Sequence, residues 1–600
     1  MARVLRNIEL KGAISAKEES KSKSFNASED AEGQWRFYIL QLIILAIAAV
    51  VWARLVWLQV VNHSYWETQA EVRHFSKQEI KGSRGQILDR NGEILAISVP
   101  GNNISLDAKV LKDNLHSKTD IDLAAAEIAG ILDLDLEDVR EIISKNKRYN
   151  LLKKRVNAIE LSSIRSRQIP GVVVEKVFYR DYPFGDTAKE IIGFVGADGK
   201  GLAGIEHTFE SKLLSQNSII SVKRDGRRRS LSDLNLLGDD NYSESGYNAV
   251  GAVPTIREEG QSVVLSIDAS LQHLLEEEFE VASVSTLSER VFGALIDIDD
   301  GSILAMAQSG TIHQEPAESS AEVGDLVVDQ EPEPKVTISK KSGRISVIQD
   351  AFEPGSTFKT LVMGMAIENG VVSPDQKIDG ENGLYRVFGH TIHDHHKAGL
   401  MDISEVLITS SNIGLAKIGK SMGRTKLYEG IQTFGFGKKS GIQVEGESSG
   451  ILRDVSSWRP VDILTHSFGQ GVAVTVIQML KAYTPIFNEG NMLTPTIFLP
   501  SKEDVERSKV RVLSPETAEF ISQSLYEVVS SDSGTGNAAA IPGAHVAGKT
   551  GTAQFALPQG GYDPENVVAS FIGYVDASSV GVARRLMMMI VFDKPQVEEH

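Results

Sequence analysis

The 600 residues contain no cysteine, which excludes disulfides, thiolate metal sites and a cysteine nucleophile together. Long Lys/Arg-rich stretches are missing as well, and the formal net charge is -18. The basic face that phosphate binding needs is therefore absent, and no nucleic-acid partner is expected. The densest basic run, residues 223–229, is expected to be a solvated loop. No repeat of fixed period interrupts the chain. What is present is ordinary for a folded protein: 42% hydrophobic and 24% charged residues, with 18 Pro and 52 Gly. Six hundred residues exceed what one hydrophobic core usually supports, so two or more domains are expected.

The one long apolar run is FYILQLIILAIAAVVWA at residues 37–53, and apolar character resumes after Arg54 through LVWLQVV. That length predicts a bilayer-spanning helix over 37–59. Trp35, Tyr38, Trp52 and Trp57 lie near its ends, where amphipathic rings favour lipid headgroups. A cleaved signal peptide fits poorly, because 36 residues precede the run. This flank, with seven Lys/Arg and six Asp/Glu, has a weak positive-inside bias but is the natural cytoplasmic side.

Beyond the span, SRGQILDRNGEILAISVP (83–100) alternates apolar runs around Arg90-Asn91-Gly92 and predicts a β-hairpin. Helical spacing follows at 123–143 and, more weakly, at 158–164. Gly-punctuated segments then suggest mixed α/β structure. QSVVLSIDASLQHLLEEEF (261–279) reads as a strand running into an amphipathic helix, and VFGALIDIDDGSILAMAQ (291–308) as a hairpin turning at Asp300-Gly301. A second domain is expected to begin near Pro254, with 311–334, acidic and poor in large apolar residues, as an exposed loop.

Chemistry concentrates in three places. In FEPGSTFKTLVMGMAIENG (352–370), Pro and Gly precede a helical pattern, so Ser356 opens a helix and Lys359, one turn on, shares its face. A serine beside a lysine whose pKa is lowered by burial and neighbouring cations is a nucleophile at neutral pH, and the helix N-terminus favours developing negative charge. Ser20 with Lys23 and Ser144 with Lys147 have the same spacing, so spacing alone decides nothing. Company in order decides it: Ser410-Ser411-Asn412 follows, then Lys549-Thr550-Gly551-Thr552. Ser410 is a candidate proton relay to the leaving amine, and the Asn412 amide can both donate to and accept from a peptide. A strand bearing Lys549 and Thr552 can pair with an extended substrate and offer cation and hydroxyl to a carboxylate. Gly548 and Gly551 are expected to let substrate approach that strand, and the backbone N–H groups of Ser356 and Thr552 are the candidate oxyanion hole.

With these motifs the chain resembles the class B penicillin-binding proteins, peptidoglycan D,D-transpeptidases, over about residues 35–595. The resemblance implies an α+β multidomain protein: cytoplasmic tail (1–36), transmembrane helix (37–59), mixed α/β pedestal of the dimerisation type (60–253), and a transpeptidase domain (254–600) with an antiparallel sheet flanked by helices, like serine β-lactamases. It implies that Ser356 attacks the penultimate D-Ala carbonyl of a stem peptide and that β-lactams trap the same serine. Lys359 and Ser410 would complete the catalytic set, with Asn412, Lys549, Thr550, Gly551 and Thr552 binding substrate and no metal or cofactor required. Implied partners are the membrane, stem peptides, a lipid-linked glycan polymerase and other division proteins. The catalytic domain would lie on the periplasmic side of the inner membrane. FEPGST, SSN, FGFGKKSGIQVEGESSGIL and SFGQGVAVTVIQML resemble the division branch rather than the elongation branch, and SRGQILDRNG the structural pedestal motif. The acidic loop is longer than the family suggests, and the chain stops soon after 586–592, before the family's usual final strand and helix, which marks it as truncated or unusual.

Four other functions compete. An elongation-type transpeptidase differs only in role. A β-lactamase or β-lactam sensor shares the three motifs and differs in the fate of the acyl-enzyme, but no Glu for a deacylating water is identifiable. An inactive division scaffold is opposed by the intact motif set. HTIHDHH (390–396) invites a metallohydrolase, yet its spacing matches no usual zinc pattern, so a polar loop near the cleft is expected. Glu206, Asp297, Asp394 and Glu445 have no supporting motif and are expected to be paired or solvated.

Overall fold

The computed structural model of the chain describes residues 29–66, 75–80, 82–215, 218–223, 259–313, 336–338, 344–556 and 561–596. Two compact units are present, Met1–Ile80 with Asn217–Ile256, and Lys81–Gln216 with Arg257–His600. In the first, an α-helix over Glu29–Val56 continues as a π-helix over Trp57–Val61. Its apolar stretch Phe37–Val61 has 25 residues and contains an 18-residue window of mean hydropathy 2.5. At about 1.5 Å per residue it exceeds a hydrocarbon layer of about 30 Å, so it is long and apolar enough to cross a membrane. Phe75–Ile80 and Ser218–Lys223 pair antiparallel in the same unit. The N-terminal tail to residue 28 and residues 224–229 of the basic run lie outside the described residues.

The second unit opens on the expected hairpin. Asp89 Oδ1 accepts the N–H groups of Asn91 at 2.7 Å and Glu93 at 2.8 Å, an Asx turn that pairs Ile87–Leu88 with Ile94–Leu106. Ile87–Leu88 also pairs in parallel with Val263–Val264, while Ile94–Leu106 carries Asn150–Lys153 and Val172–Asp181. The helical pattern at 123–143 is corrected to two helices, Lys118–Leu132 and Leu136–Ser144. Asp133 turns left-handed at φ 52, and Asp135 caps the second helix by accepting the N–H groups of Glu137 and Asp138. Ser144, one of the chance Ser-x-x-Lys matches, ends that helix with its hydroxyl on Glu141 O.

Glu206 is buried and charged, and it draws three chain segments together. Its carboxylate meets Arg84 Nε at 2.5 Å and Arg180 Nε at 2.6 Å, and Arg84 Nη2 also reaches Glu210 Oε2 at 2.6 Å. The expectation of structural pairing holds here. Asp297 closes its hairpin turn through Asp299 N–H, and the exposed Glu445 meets His207 at 3.2 Å.

Downstream lies an antiparallel five-stranded sheet in the order His545–Ala556, Tyr562–Asp576, Arg585–Asp593, Arg290–Asp297, Ile303–Ser309. Both faces are covered. Along Arg585–Asp593, Met587, Met589 and Val591 enter the larger core, with Leu361, Val362, Ile521 and Leu525 from helices Lys359–Glu368 and Pro515–Ser530. Met588, Ile590 and Phe592 pack instead with Leu275 and Phe279 of Ala269–Ser285. Burial on alternate sides explains the nearly continuous apolar runs in these strands. Where a loop was expected from 311, Thr311–His313 instead pairs with Val336–Ile338; residues 314–335 lie outside the described residues.

Replacing Glu206 with Ala leaves the buried Arg180 without its carboxylate and Arg84 with Glu210 alone. A loss of about 3–5 kcal/mol is expected, measured as a lowered denaturant midpoint of the detergent-solubilised chain.

Candidate active site

The segment carrying Ser356 is held by backbone on several sides. Phe352 and Val474 exchange N–H···O bonds of 2.9 and 2.8 Å, and Gly355 N–H donates to Gly469 O at 3.1 Å. Glu353 Oε1 accepts Gly471 N–H at 2.9 Å. The turn Gly355–Phe358 is 3-10 and leads directly into the α-helix Lys359–Glu368, so Ser356 stands at a helix entrance as the spacing predicts. The buried Tyr483 hydroxyl donates to Thr357 O.

Lys359 is 1% exposed in a helix whose residues 359–366 are all buried. Its ammonium donates to Ser410 O at 2.5 Å and Ser410 Oγ at 3.2 Å. Burial holds its pKa well below the ordinary lysine value; the neighbouring Lys549 charge pushes the same way and Asp394 pushes back. Of the two hydroxyls that sequence placed near Lys359, it is thus the Ser410 hydroxyl that accepts its hydrogen bond.

Ser410 has a left-handed backbone, φ 57, and stands just before Ser411, the N-cap of helix Asn412–Thr433. The cap is doubled. Ser411 Oγ accepts Gly414 N–H at 2.9 Å and donates to Asp394 Oδ2 at 2.5 Å. Asp394 Oδ1 accepts Asn412 N–H at 2.6 Å and Ile413 N–H at 3.0 Å. Asn412 Nδ2 donates to His393 O at 3.0 Å. The histidine-rich run is therefore mostly a hairpin strand, His390–His393 paired with Leu384–Val387, whose end is tied to the Ser410–Asn412 segment.

The Lys549 strand, His545–Ala556, lies at the edge of its sheet. Lys549 is fully buried, and burial lowers its pKa to about 7. It donates to Thr550 O at 3.4 Å and Thr535 Oγ1 at 3.5 Å, and Thr550 donates to the same Thr535 hydroxyl at 3.1 Å. Two expectations are corrected here. Lys549 and Thr552 were expected to offer cation and hydroxyl together, but strand alternation puts Lys549 with buried Gly551 and Ala553 and leaves Thr552 exposed on the other face. Gly548 and Gly551 were expected to admit substrate, but they admit the protein itself. A Cβ on Gly551 would lie 2.9 Å from both Pro354 O and Thr357 Cγ2, and one on Gly548 would lie 2.5 Å from the Phe571 ring. The missing side chain at Gly551 thus lets the Ser356 turn seat against the strand.

A half-buried serine at a helix entrance, a buried lysine bonded to a second serine, and an edge strand against the same turn can carry serine acyl transfer. Residues 291–599 match the penicillin binding protein transpeptidase domain and residues 79–246 the Penicillin-binding Protein dimerisation domain. The chain belongs to the class B penicillin-binding proteins. It is 29% identical to peptidoglycan D,D-transpeptidase FtsI of Escherichia coli, over 94% of this chain and 88% of that protein. It is 28% identical to stage V sporulation protein D of Bacillus subtilis, over 86% of this chain and 74% of that protein. Among solved structures, a peptidoglycan synthetase from Bifidobacterium adolescentis aligns with TM-score 0.61 at 23% identity, covering 87% of this chain and 93% of that one. Penicillin binding protein 3 of Mycobacterium tuberculosis aligns with TM-score 0.58 at 22% identity, covering 87% and 92%.

Asp394 is paired, as expected of an acid without a motif, but its place at the start of helix Asn412–Thr433 was not foreseen. Two participants escaped the sequence: Thr535 has no motif, and Glu353 was read only as part of FEPGST. For Glu353 a signal did exist in Gly469-Gln470-Gly471, whose two glycines meet the Ser356 segment.

Gly551→Ala places a methyl 2.5 Å from Ser570 Oγ and 2.9 Å from Pro354 O. The Pro354 contact is backbone, so the Ser356 turn must shift. The second-order rate of labelling by a fluorescent penicillin is expected to fall at least about tenfold, the kinetic equivalent of about 1.4 kcal/mol.

Proposed function

We propose that the chain is a membrane-anchored peptidoglycan D,D-transpeptidase with Ser356 as its nucleophile. The observation that carries this is the buried Lys359 Nζ on Ser410, one turn from Ser356 and beside the Lys549 strand. Ser356 Oγ attacks the penultimate D-Ala carbonyl of a stem peptide while its proton passes to neutral Lys359. The oxyanion is received by the backbone N–H groups of Ser356 and Thr552, whose chain segments touch at Gly355. Collapse breaks the D-Ala–D-Ala amide, and the leaving amine takes a proton relayed through Ser410. An amine from a neighbouring strand then attacks the ester, gives up its proton to the same pair, and releases Ser356 with the new amide. Asn412 aligns the donor peptide, and the edge strand from Lys549 through Thr550 and Gly551 to Thr552 pairs with it. A β-lactam enters by the same first step and stays as an ester.

The division motifs FEPGST and SSN, with the FtsI and sporulation relatives, support a septal role. A lipid-linked glycan polymerase and other division proteins are then the fitting partners. We place residues 1–36 in the cytoplasm, 37–59 in the inner membrane, the pedestal at 60–253 and the transpeptidase domain at 254–600 on the periplasmic side.

Incubation of the detergent-solubilised chain with fluorescent penicillin tests this. Stable covalent labelling, abolished by Ser356→Ala and retained by Ser144→Ala, is expected; rapid decay of the label would indicate a β-lactamase. Because Lys359 acts unprotonated and burial lowers its pKa, acylation should rise with pH through that lowered value, at a lower pH than an ordinary lysine would give. Lys359→Arg keeps a proton at every accessible pH and should abolish labelling throughout.

A further inference from the structure

We propose that Asp394 is a positioning residue of the acylation centre in two ways: its carboxylate gathers the start of helix Asn412–Thr433 and so fixes Ser410 against Lys359, and its charge acts on Lys359 itself. This rests on the acyl-transfer function proposed above.

Geometry carries it first. The opening N–H groups of an α-helix lack partners within the helix. One carboxylate here takes the N–H groups of Asn412 and Ile413 and the Ser411 hydroxyl, at 2.6, 3.0 and 2.5 Å. An anion at that place is also favoured by the helix dipole. The segment it restrains is strained: Ser410 is a non-glycine residue at φ 57, a conformation that persists only where the surroundings over-determine it. That conformation presents both Ser410 O and Ser410 Oγ to the Lys359 ammonium. Without Asp394, Ser410 is free to relax to an extended or helical backbone, and both acceptors leave Lys359 together.

Charge carries it second. The charged groups acting on Lys359 are Lys549, from the edge strand, and Asp394, from the segment after the His390–His393 strand, with opposite sign. A nearby carboxylate favours the ammonium form, so removing its charge lowers the proton affinity of Lys359. Asn at 394 retains an oxygen for the two backbone N–H groups and an amide N–H for Ser411 Oγ. It therefore separates charge from hydrogen bonding.

The test is the pH profile of fluorescent-penicillin acylation by the detergent-solubilised full chain. In Asp394→Asn the ascending limb is expected to move to lower pH by about half a unit or more, while the plateau rate stays within about tenfold of wild type. In Asp394→Ala the plateau is expected to fall about a hundredfold, with the melting transition retained. Ser411→Ala, which loses one donor and keeps the charge, should lower the plateau without moving the limb. An Asp394→Asn limb that coincides with wild type, or an Asp394→Ala plateau equal to wild type, overturns the proposal. If Asp394→Ala does not fold, the Asp394→Asn limb alone decides. Wild-type chain that takes no label at Ser356 overturns the acyl-transfer function as well, whereas labelled wild type with an unmoved limb overturns only the role of Asp394.

Discussion

A lysine ammonium enclosed among apolar side chains is the constraint on which the site depends. Charge is costly away from water, so enclosing Lys359 works only if its proton is held loosely and its N–H groups find acceptors. The acceptors are the carbonyl and hydroxyl of Ser410. The enclosure is the larger core, to which Phe358, Leu361, Val362 and Met363 contribute from the same turn and helix. A second lysine, Lys549, is buried near enough for its charge to act on the first. Two neighbouring ammonium groups disfavour each other's protonation, so the pair is poised to hold fewer protons than two exposed lysines would.

That poise is useful only if the reacting groups do not wander. Glu353 and the backbone of Gly469 and Gly471 hold one side of the Ser356 segment, Gly551 lets the edge strand hold another, and Tyr483 bonds to Thr357 O. Donors already in place need no reorganisation when charge develops on a substrate oxygen, and this accounts for much of the power of such centres. The motif Ser-Phe-Gly-Gln-Gly is, in this light, a seat for the Ser356 turn.

What could be read from the chain follows the same physics. That Ser356 opens a helix, and that Lys359, Ser410 and the Lys549 strand gather at that turn, was legible because the proposed chemistry dictates residue type and short spacing. Hairpins were legible where local turn chemistry sufficed, as at Asp89–Gly92 and Asp300–Gly301. The break between residues 132 and 136 was missed because apolar spacing continued across it, although Asp133 and Asp135 end one helix and begin the next. The faces of the Lys549 strand were misassigned although alternation alone puts residues 549 and 552 on opposite sides; tertiary packing adds only what covers each side. Asp394 was invisible as a cap because it reaches a helix from a separate hairpin, with no local spacing to betray it.

Two buried charges in this protein show how a saturated ionic cluster differs from one that is left poised. Glu206 is saturated: both carboxylate oxygens meet a guanidinium, and the second acid, Glu210, shares Arg84. Nothing is left over for a substrate, and the cluster ties segments far apart in sequence. Lys359 is the reverse. Its two acceptors belong to one residue, one of them being a hydroxyl that can pass a proton onward, and its proton affinity is lowered first by burial and then pushed opposite ways by Lys549 and Asp394. A charge that the fold satisfies completely is holding the fold; a charge that the fold satisfies through a hydroxyl, at a turn bearing a second hydroxyl, is held ready to change.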